Sequence, residues 1–135
     1  MKKEVAMIKQ TVIIPNASPK QIYEAYTDPK KHTEFTGSKA SGKPVVGGKY
    51  SAWDGYIFGK YMALAEGKSV VQEWATTDWE DGYPASKLEL NFKAVPEGTE
   101  ITLNQTGVPK AQVSEFEQGW LDFYWNPLKT YFKKK

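Results

Sequence analysis

Hydrophobic and polar residues alternate along most of the first two-thirds of the chain, which is the pattern of half-buried strands. Residues 6–14 place Ile8, Val12 and Ile14 on one side and lysine and threonine on the other. Residues 86–94 alternate in the same way. A strand with one apolar and one polar face is typical of an antiparallel sheet that packs on one side only. The pattern predicts strands at 6–14, 49–53, 56–65, 69–78, 86–94 and 100–107.

Two short helices are predicted between the first and second of these strands. Ser18 followed by Pro19 and then Gln21 has the spacing of a capping box with proline in the first turn. Asp28-Pro29 begins a second helix, which we expect to end before Gly37.

The C-terminal region predicts one long helix, because its apolar residues recur at spacings of three and four. These are Val113, Phe116, Trp120, Phe123, Tyr124, Leu128 and Tyr131. Pro127 is expected to kink or interrupt this helix near its last turns.

These elements predict an α+β protein of the helix-grip type. A curved antiparallel sheet of about six strands would wrap around the long C-terminal helix, with the two short helices beside it. The apolar face of the sheet must be covered, and only the C-terminal helix is long and apolar enough to do so. The length of 135 residues is that of one domain, so we expect residues 1–135 to form a single domain.

Composition narrows the classes of function. The chain has no cysteine and one histidine, which excludes disulfides, thiolate metal sites and zinc sites with several imidazoles. We expect no metal and no cofactor. All 18 basic residues are lysine and the net charge is only +2, so no nucleic-acid partner is expected. No apolar run has the length of a signal-peptide core or a membrane span, which predicts a cytoplasmic protein without a membrane partner.

Candidate catalytic groups are few. His32 lies among lysines on the second short helix, with Glu34 as the nearest carboxylate, and we expect a structural role at the surface. Asp54 belongs to an Asp-Gly pair between two strands, where a turn is the expected role. Because no acid–base pair stands out, the sequence predicts a protein that is not an enzyme.

The aromatic residues are the most informative candidate site. We expect six of them to converge between helix and sheet: Trp53, Trp74, Phe92, Phe116, Trp120 and Tyr124. They either fill a core or line a ligand cavity. Strand parity places Gln10, Gln72 and Gln105 on the same face. Buried amides need partners, so these three bond to one another, to water or to a ligand, and we include them among the candidate ligand-binding residues.

Particular motifs in this order resemble the activator of 90-kDa heat-shock-protein ATPase family, specifically its C-terminal domain of the START-like (SRPBCC) superfamily. The motifs span nearly the whole chain and include Phe35-Thr36-Gly37, Gly47-Gly48-Lys49-Tyr50, Trp53-Asp54-Gly55-Tyr56, Val70-Val71-Gln72-Glu73-Trp74, Gly107-Val108-Pro109 and Gly119-Trp120. The resemblance implies a helix-grip domain without enzymatic activity, whose partner is a 90-kDa heat-shock-protein chaperone.

A second function stays open. Other members of the same superfamily hold apolar molecules between helix and sheet, so the resemblance also allows a carrier or sensor of a small hydrophobic ligand. A cavity of roughly 300 Å³ or more would favour this alternative, whereas a filled core would leave recognition to the surface.

Overall fold

A computed structural model describes residues 4–133 of the chain. Within these residues, seven antiparallel strands form one sheet in the order β1-β7-β6-β5-β4-β3-β2. The strands are β1 (Val5–Pro15), β2 (Ser41–Gly42), β3 (Lys49–Ala52), β4 (Ile57–Ala65), β5 (Ser69–Thr76), β6 (Ser86–Val95) and β7 (Gly98–Pro109).

The count of six strands from the sequence is therefore wrong by one. The additional strand is β2, which consists of two residues and pairs Ser41 with Ser51 and Gly42 with Tyr50 on β3. Two residues are too few to show an alternating pattern, so periodicity does not detect a strand of this length.

The two short helices connect β1 to β2. Helix α1 (Pro19–Thr27) begins with the predicted capping box, in which the Ser18 hydroxyl accepts from the Gln21 N–H and the Gln21 side chain accepts from the Ser18 N–H. Helix α2 (Pro29–Thr36) begins at Asp28, whose carboxylate accepts from the Lys30 N–H. It ends at Gly37, which adopts φ 78°, the left-handed conformation that glycine tolerates best.

The C-terminal helix spans residues 110–131 and changes its hydrogen bonding along its length. A short 3₁₀ turn (Lys110–Gln112) leads into α3 (Val113–Trp120), followed by a π-helical turn (Leu121–Trp125) and α4 (Asn126–Tyr131). In the π-helical turn the Asn126 N–H donates to the Leu121 carbonyl, five residues back. Pro127 follows directly, so the predicted interruption is present as a π-helical turn within a continuous helix.

The core lies between the C-terminal helix and the inner face of the sheet. Strands β6 and β7 bury every second residue against it, as the alternation predicts. Trp120, Trp125 and Leu128 of the helix are at most 2% exposed. The helix thus covers the apolar face of the sheet, as expected from the need to bury that face.

Strands β4 and β5 approach each other closely at Gly59. A Cβ atom at this position would overlap the backbone carbonyl of Glu73 and lie 3.0 Å from the Tyr50 hydroxyl. The same Glu73 carbonyl accepts a hydrogen bond from the Tyr50 hydroxyl at 2.7 Å. Any residue other than glycine must therefore separate the two strands.

We predict that Gly59→Ala lowers the free energy of unfolding by about 2 kcal/mol or more, because the backbone has to shift to admit the methyl group. Urea denaturation at neutral pH measures this. Gly119→Ala is the matched control, because its Cβ would meet its nearest atom at an ordinary 3.7 Å and alanine favours a helix. Similar losses in both variants would contradict the prediction.

Candidate functional site

A cavity of about 410 Å³ lies beside the C-terminal helix and is partly open to solvent. Its walls come from the turn between β3 and β4, the start of β4, the end of β5 and one side of the helix. The lining residues are Trp53, Tyr56, Ile57, Trp74, Glu115, Phe116, Gly119, Trp120, Phe123 and Tyr124. The lining is almost entirely aromatic or aliphatic, so the cavity suits an apolar molecule.

Local structure explains how these side chains meet. Alternation along β5 turns Val70, Gln72 and Trp74 toward the helix. The helix repeat places Phe116, Trp120 and Tyr124 on one face, because residues four apart lie above one another.

Trp53 reaches the cavity from the turn after β3. Its backbone adopts φ 53°, a left-handed conformation that is unfavourable for a residue with a side chain. The following residues, Asp54 and Gly55, also have positive φ. The Asp-Gly pair thus lies in the expected turn.

The aromatic rings of the lining pack against one another in two groups. The Trp74 ring lies 5.3 Å from that of Phe116, edge to face, and 5.6 Å from that of Trp120. Trp120 lies 4.8 Å from Tyr124, and Trp53 meets Phe123 edge to face at 5.2 Å. These separations are those of favourable aromatic pairs.

The structure brings together five of the nine residues predicted for the site: Trp53, Trp74, Phe116, Trp120 and Tyr124. Phe92 is buried elsewhere, edge to face with Tyr23 of α1 at 6.4 Å. It shares the inner face of the sheet but lies under a different helix.

The three predicted glutamines do not line the cavity, because each accepts a hydrogen bond from an aromatic side chain. Gln105 accepts from the Trp120 indole at 3.0 Å and Gln10 from the Trp125 indole at 2.7 Å. Gln72 accepts from the Tyr26 hydroxyl at 2.7 Å. The amides thus find partners in the protein itself and attach helices to the sheet.

His32 is buried, so the expected surface position is wrong. Its Nδ1 lies 2.8 Å from the Tyr26 carbonyl oxygen and its Nε2 lies 3.0 Å from the Tyr124 hydroxyl. A carbonyl only accepts, so Nδ1 carries the hydrogen and Nε2 accepts from Tyr124. Burial lowers the pKa of His32 to about 4, although the bond to Tyr26 opposes this. Burial also raises the pKa of Tyr124. His32 therefore helps to orient the side chain of Tyr124, a residue of the lining.

Sequence reasoning missed five residues of the lining, namely Tyr56, Ile57, Glu115, Gly119 and Phe123. Gly119 and Phe123 follow Phe116 and Trp120 by three residues, so the helix repeat could have identified them. Tyr56 and Ile57 belong to the turn and to the start of β4, and their positions depend on the geometry of that turn.

The described residues offer little else for chemistry. Residues 4–133 contain no group of three or more histidine, aspartate or glutamate side chains that could hold a metal ion. Over the same residues, no helix combines the length and the apolar character needed to cross a membrane.

Comparison with known families gives one match over most of the chain. The family model described as "Activator of Hsp90 ATPase homolog 1-like protein" matches residues 16–133. Activator of 90 kDa heat shock protein ATPase homolog 1 from Homo sapiens is 27% identical over 125 residues, which is 93% of this chain and 36% of the human protein. The homologue from Dictyostelium discoideum is 30% identical over 104 residues, covering 76% and 27% respectively. The chain thus spans about a third of the length of these relatives.

Solved structures share the fold. An HSP90 activator from Plasmodium falciparum gives a TM-score of 0.78 with 24% identity over 94% of both chains. The Aha1 dimer from Colwellia psychrerythraea gives 0.73 with 20% identity over 87% of this chain and 90% of the other. DynU16, a putative protein of the dynemicin biosynthetic locus, gives a TM-score of 0.78 with 20% identity, over 95% of this chain and 47% of DynU16. The predicted helix-grip fold is confirmed.

We predict that His32 makes stability depend on pH. The folded pKa of about 4 lies below the unfolded value of about 6.5, so the unfolded state takes up the proton first. Above pH 6.5 this difference in pKa costs the protein no stability. As the pH drops to 4, preferential protonation of the unfolded state lowers the free energy of unfolding by about 3 kcal/mol. Urea denaturation across this range should show the stability gap between the native protein and His32→Gln narrowing by that amount. A gap that stays constant would contradict the prediction.

Proposed function

Because this chain belongs to the family of activator of Hsp90 ATPase homolog 1-like proteins, we propose that it is a non-enzymatic binding module that associates with a 90-kDa heat-shock-protein chaperone. The observation that carries the proposal is the family match over residues 16–133, which extends from the turn before α1 to the end of the C-terminal helix. The cytoplasm, where such chaperones work, is the location that the proposal implies.

The mechanism in this proposal is differential binding. A module that contacts one conformer of the chaperone more tightly shifts the conformational equilibrium, and with it the rate of the ATPase cycle. No group of the module itself needs to react with ATP.

The tyrosines of the lining and the buried His32 behind Tyr124 support a non-enzymatic role. General acid–base catalysis requires a group that exchanges protons near neutral pH. The pKa of Tyr56 is raised to about 12 by burial and by its bond to Asp78, and burial moves the pKa of Tyr124 in the same direction. His32 has both ring nitrogens in hydrogen bonds and a pKa too low for a base at neutral pH.

We predict that the ¹⁵N-labelled protein shows saturable amide shifts or line broadening, confined to one surface, when the chaperone of the same organism is added with nucleotide.

Replacing two exposed lysines that lie directly opposite each other on β3 and β4, as Lys49→Glu with Lys60→Glu, should weaken binding if an acidic surface docks there. Lys31→Glu on α2, where Lys31 already pairs with Glu24, is the control. Unchanged spectra at chaperone concentrations well above micromolar would refute the association.

A second candidate function is binding of a small apolar ligand, and the cavity is the observation that favours it. Its volume of about 410 Å³ lies within the roughly 300–1,000 Å³ of typical ligand pockets. Trp53, Trp74, Phe116, Trp120 and Tyr124 would contact the ligand. Entry and exit would involve movement of the C-terminal helix or of the loop at 79–85, in which Trp79 stacks on Phe116 at 5.6 Å.

Gly119 provides a test of this second candidate, because it lines the cavity from the last turn of α3. We predict that α-methylstyrene, an uncharged aromatic hydrocarbon, binds with a dissociation constant below about 1 mM, as measured by shifts of the indole N–H resonances. Gly119→Leu should weaken this binding at least about tenfold, because the side chain occupies the cavity. Gln118→Leu adds the same side chain at an exposed position and should leave binding unchanged. Equal affinities in all three proteins would place binding outside the cavity.

A further inference from the structure

The five tryptophans of the chain differ in how their indole N–H groups are bonded. Three have acceptors: Trp79 donates to the Pro84 carbonyl at 3.0 Å, Trp120 to Gln105 at 3.0 Å and Trp125 to Gln10 at 2.7 Å. The Nε1 atoms of Trp53 and Trp74 are buried and have no acceptor within residues 4–133. Both of these tryptophans line the cavity.

A buried donor without an acceptor is unfavourable, because it loses its hydrogen bond to water and gains none. Trp74 is only 3% exposed, so solvent around the protein does not supply the missing bond. Trp53 adds a second unfavourable feature in its left-handed backbone conformation. Unfavourable features that coincide on one wall of a cavity are characteristic of binding sites, where a ligand completes the interactions.

The other polar groups of the wall restrict what the cavity can bind. The Tyr124 hydroxyl donates to His32, so its hydrogen is already used. The Trp53 indole lies close to the Tyr124 hydroxyl but does not have the geometry of a hydrogen bond to it. Among residues 4–133, Glu115 is the one carboxylate of the lining, and no lysine lines the cavity. The wall therefore offers indole donors and disfavours an anion.

We propose that the cavity binds apolar molecules that carry one uncharged hydrogen-bond acceptor, such as a ketone or ester carbonyl, and that the indole N–H of Trp74, Trp53 or both donates to it. The inference rests on the second candidate function, binding of an apolar ligand. It adds the polar group that the ligand carries and the residues that select it.

Three probes with the same number of non-hydrogen atoms test the proposal. Acetophenone has the carbonyl, α-methylstyrene replaces the carbonyl oxygen by a CH₂ group, and benzoate carries a negative charge. We expect acetophenone to bind about five- to tenfold more tightly than α-methylstyrene, which corresponds to one net hydrogen bond. Benzoate should bind most weakly. In ¹H–¹⁵N spectra, the indole resonance of Trp74 or Trp53 should move downfield with acetophenone. Bound α-methylstyrene should shift it only through its aromatic ring, without the downfield change that an acceptor causes.

Phenylalanine variants separate hydrogen bonding from packing, because they keep an aromatic ring and remove the N–H. The measured quantity is the ratio of acetophenone to α-methylstyrene affinity within each variant. We expect the ratio to fall toward one in Trp74→Phe, Trp53→Phe or the double variant. Trp79→Phe is the control and should keep the native ratio, because the Trp79 N–H already bonds to the Pro84 carbonyl and Trp79 does not line the cavity.

The possible outcomes distinguish the two levels of the proposal. Failure of all three probes to bind would overturn both the apolar-ligand function and the inference about its acceptor. Equal binding of acetophenone and α-methylstyrene would leave the ligand function standing and overturn the acceptor. Tightest binding of benzoate, or an unchanged ratio in the double variant, would also overturn it.

Discussion

Two hydrogen bonds from indole to amide, one buried and one partly buried, fix the C-terminal helix on the sheet, and the rest of the structure depends on them. Trp120 donates to Gln105 of β7 and Trp125 donates to Gln10 of β1. Gln105 in turn donates to Ser86, which donates to the Trp74 carbonyl. The first bond is thus part of a chain of hydrogen bonds that crosses β7, β6 and β5. Apolar contacts are non-directional and do not fix the position of the helix along the sheet. The two hydrogen bonds do, because a shifted helix would leave buried polar groups without partners.

Most of the fold was predictable because its signals are local. Strand alternation, the capping box at Ser18 and the helical spacing from Phe116 onward each report a short stretch of chain, and the structure follows them. The two differences arise where a local signal is weak or incomplete. Strand β2 is too short to alternate. Pro127 predicts an interruption of the helix, but the π-helical form of that interruption depends on which side chains the helix must bury against the sheet.

The candidate site was predictable only in part, because strand parity gives the face of a residue but not its neighbours. Strand parity correctly predicted that Gln72 and Gln105 face inward, where both are at most 1% exposed. It did not identify their partners, Tyr26 and Trp120, which belong to other parts of the chain. Phe92 lies on the same face under a different helix. His32 looked exposed because its neighbours in sequence are lysines. Its spacing of three from Phe35 is the signal that places both on the buried face of α2.

The stacking of tryptophans around the helix gives the protein an optical property of its own. Trp120 lies 5.4 Å from Trp125 at an interplanar angle of 20°, and 5.6 Å from Trp74 at 33°. Indole rings this close, held in a fixed chiral arrangement, couple their electronic transitions. Near-ultraviolet circular dichroism of this protein therefore reports how the helix sits on the sheet, separately from the amount of secondary structure. A state that kept its strands and helix but released the helix from the sheet would lose the part of that signal that comes from Trp120 and Trp74, because Trp74 belongs to β5.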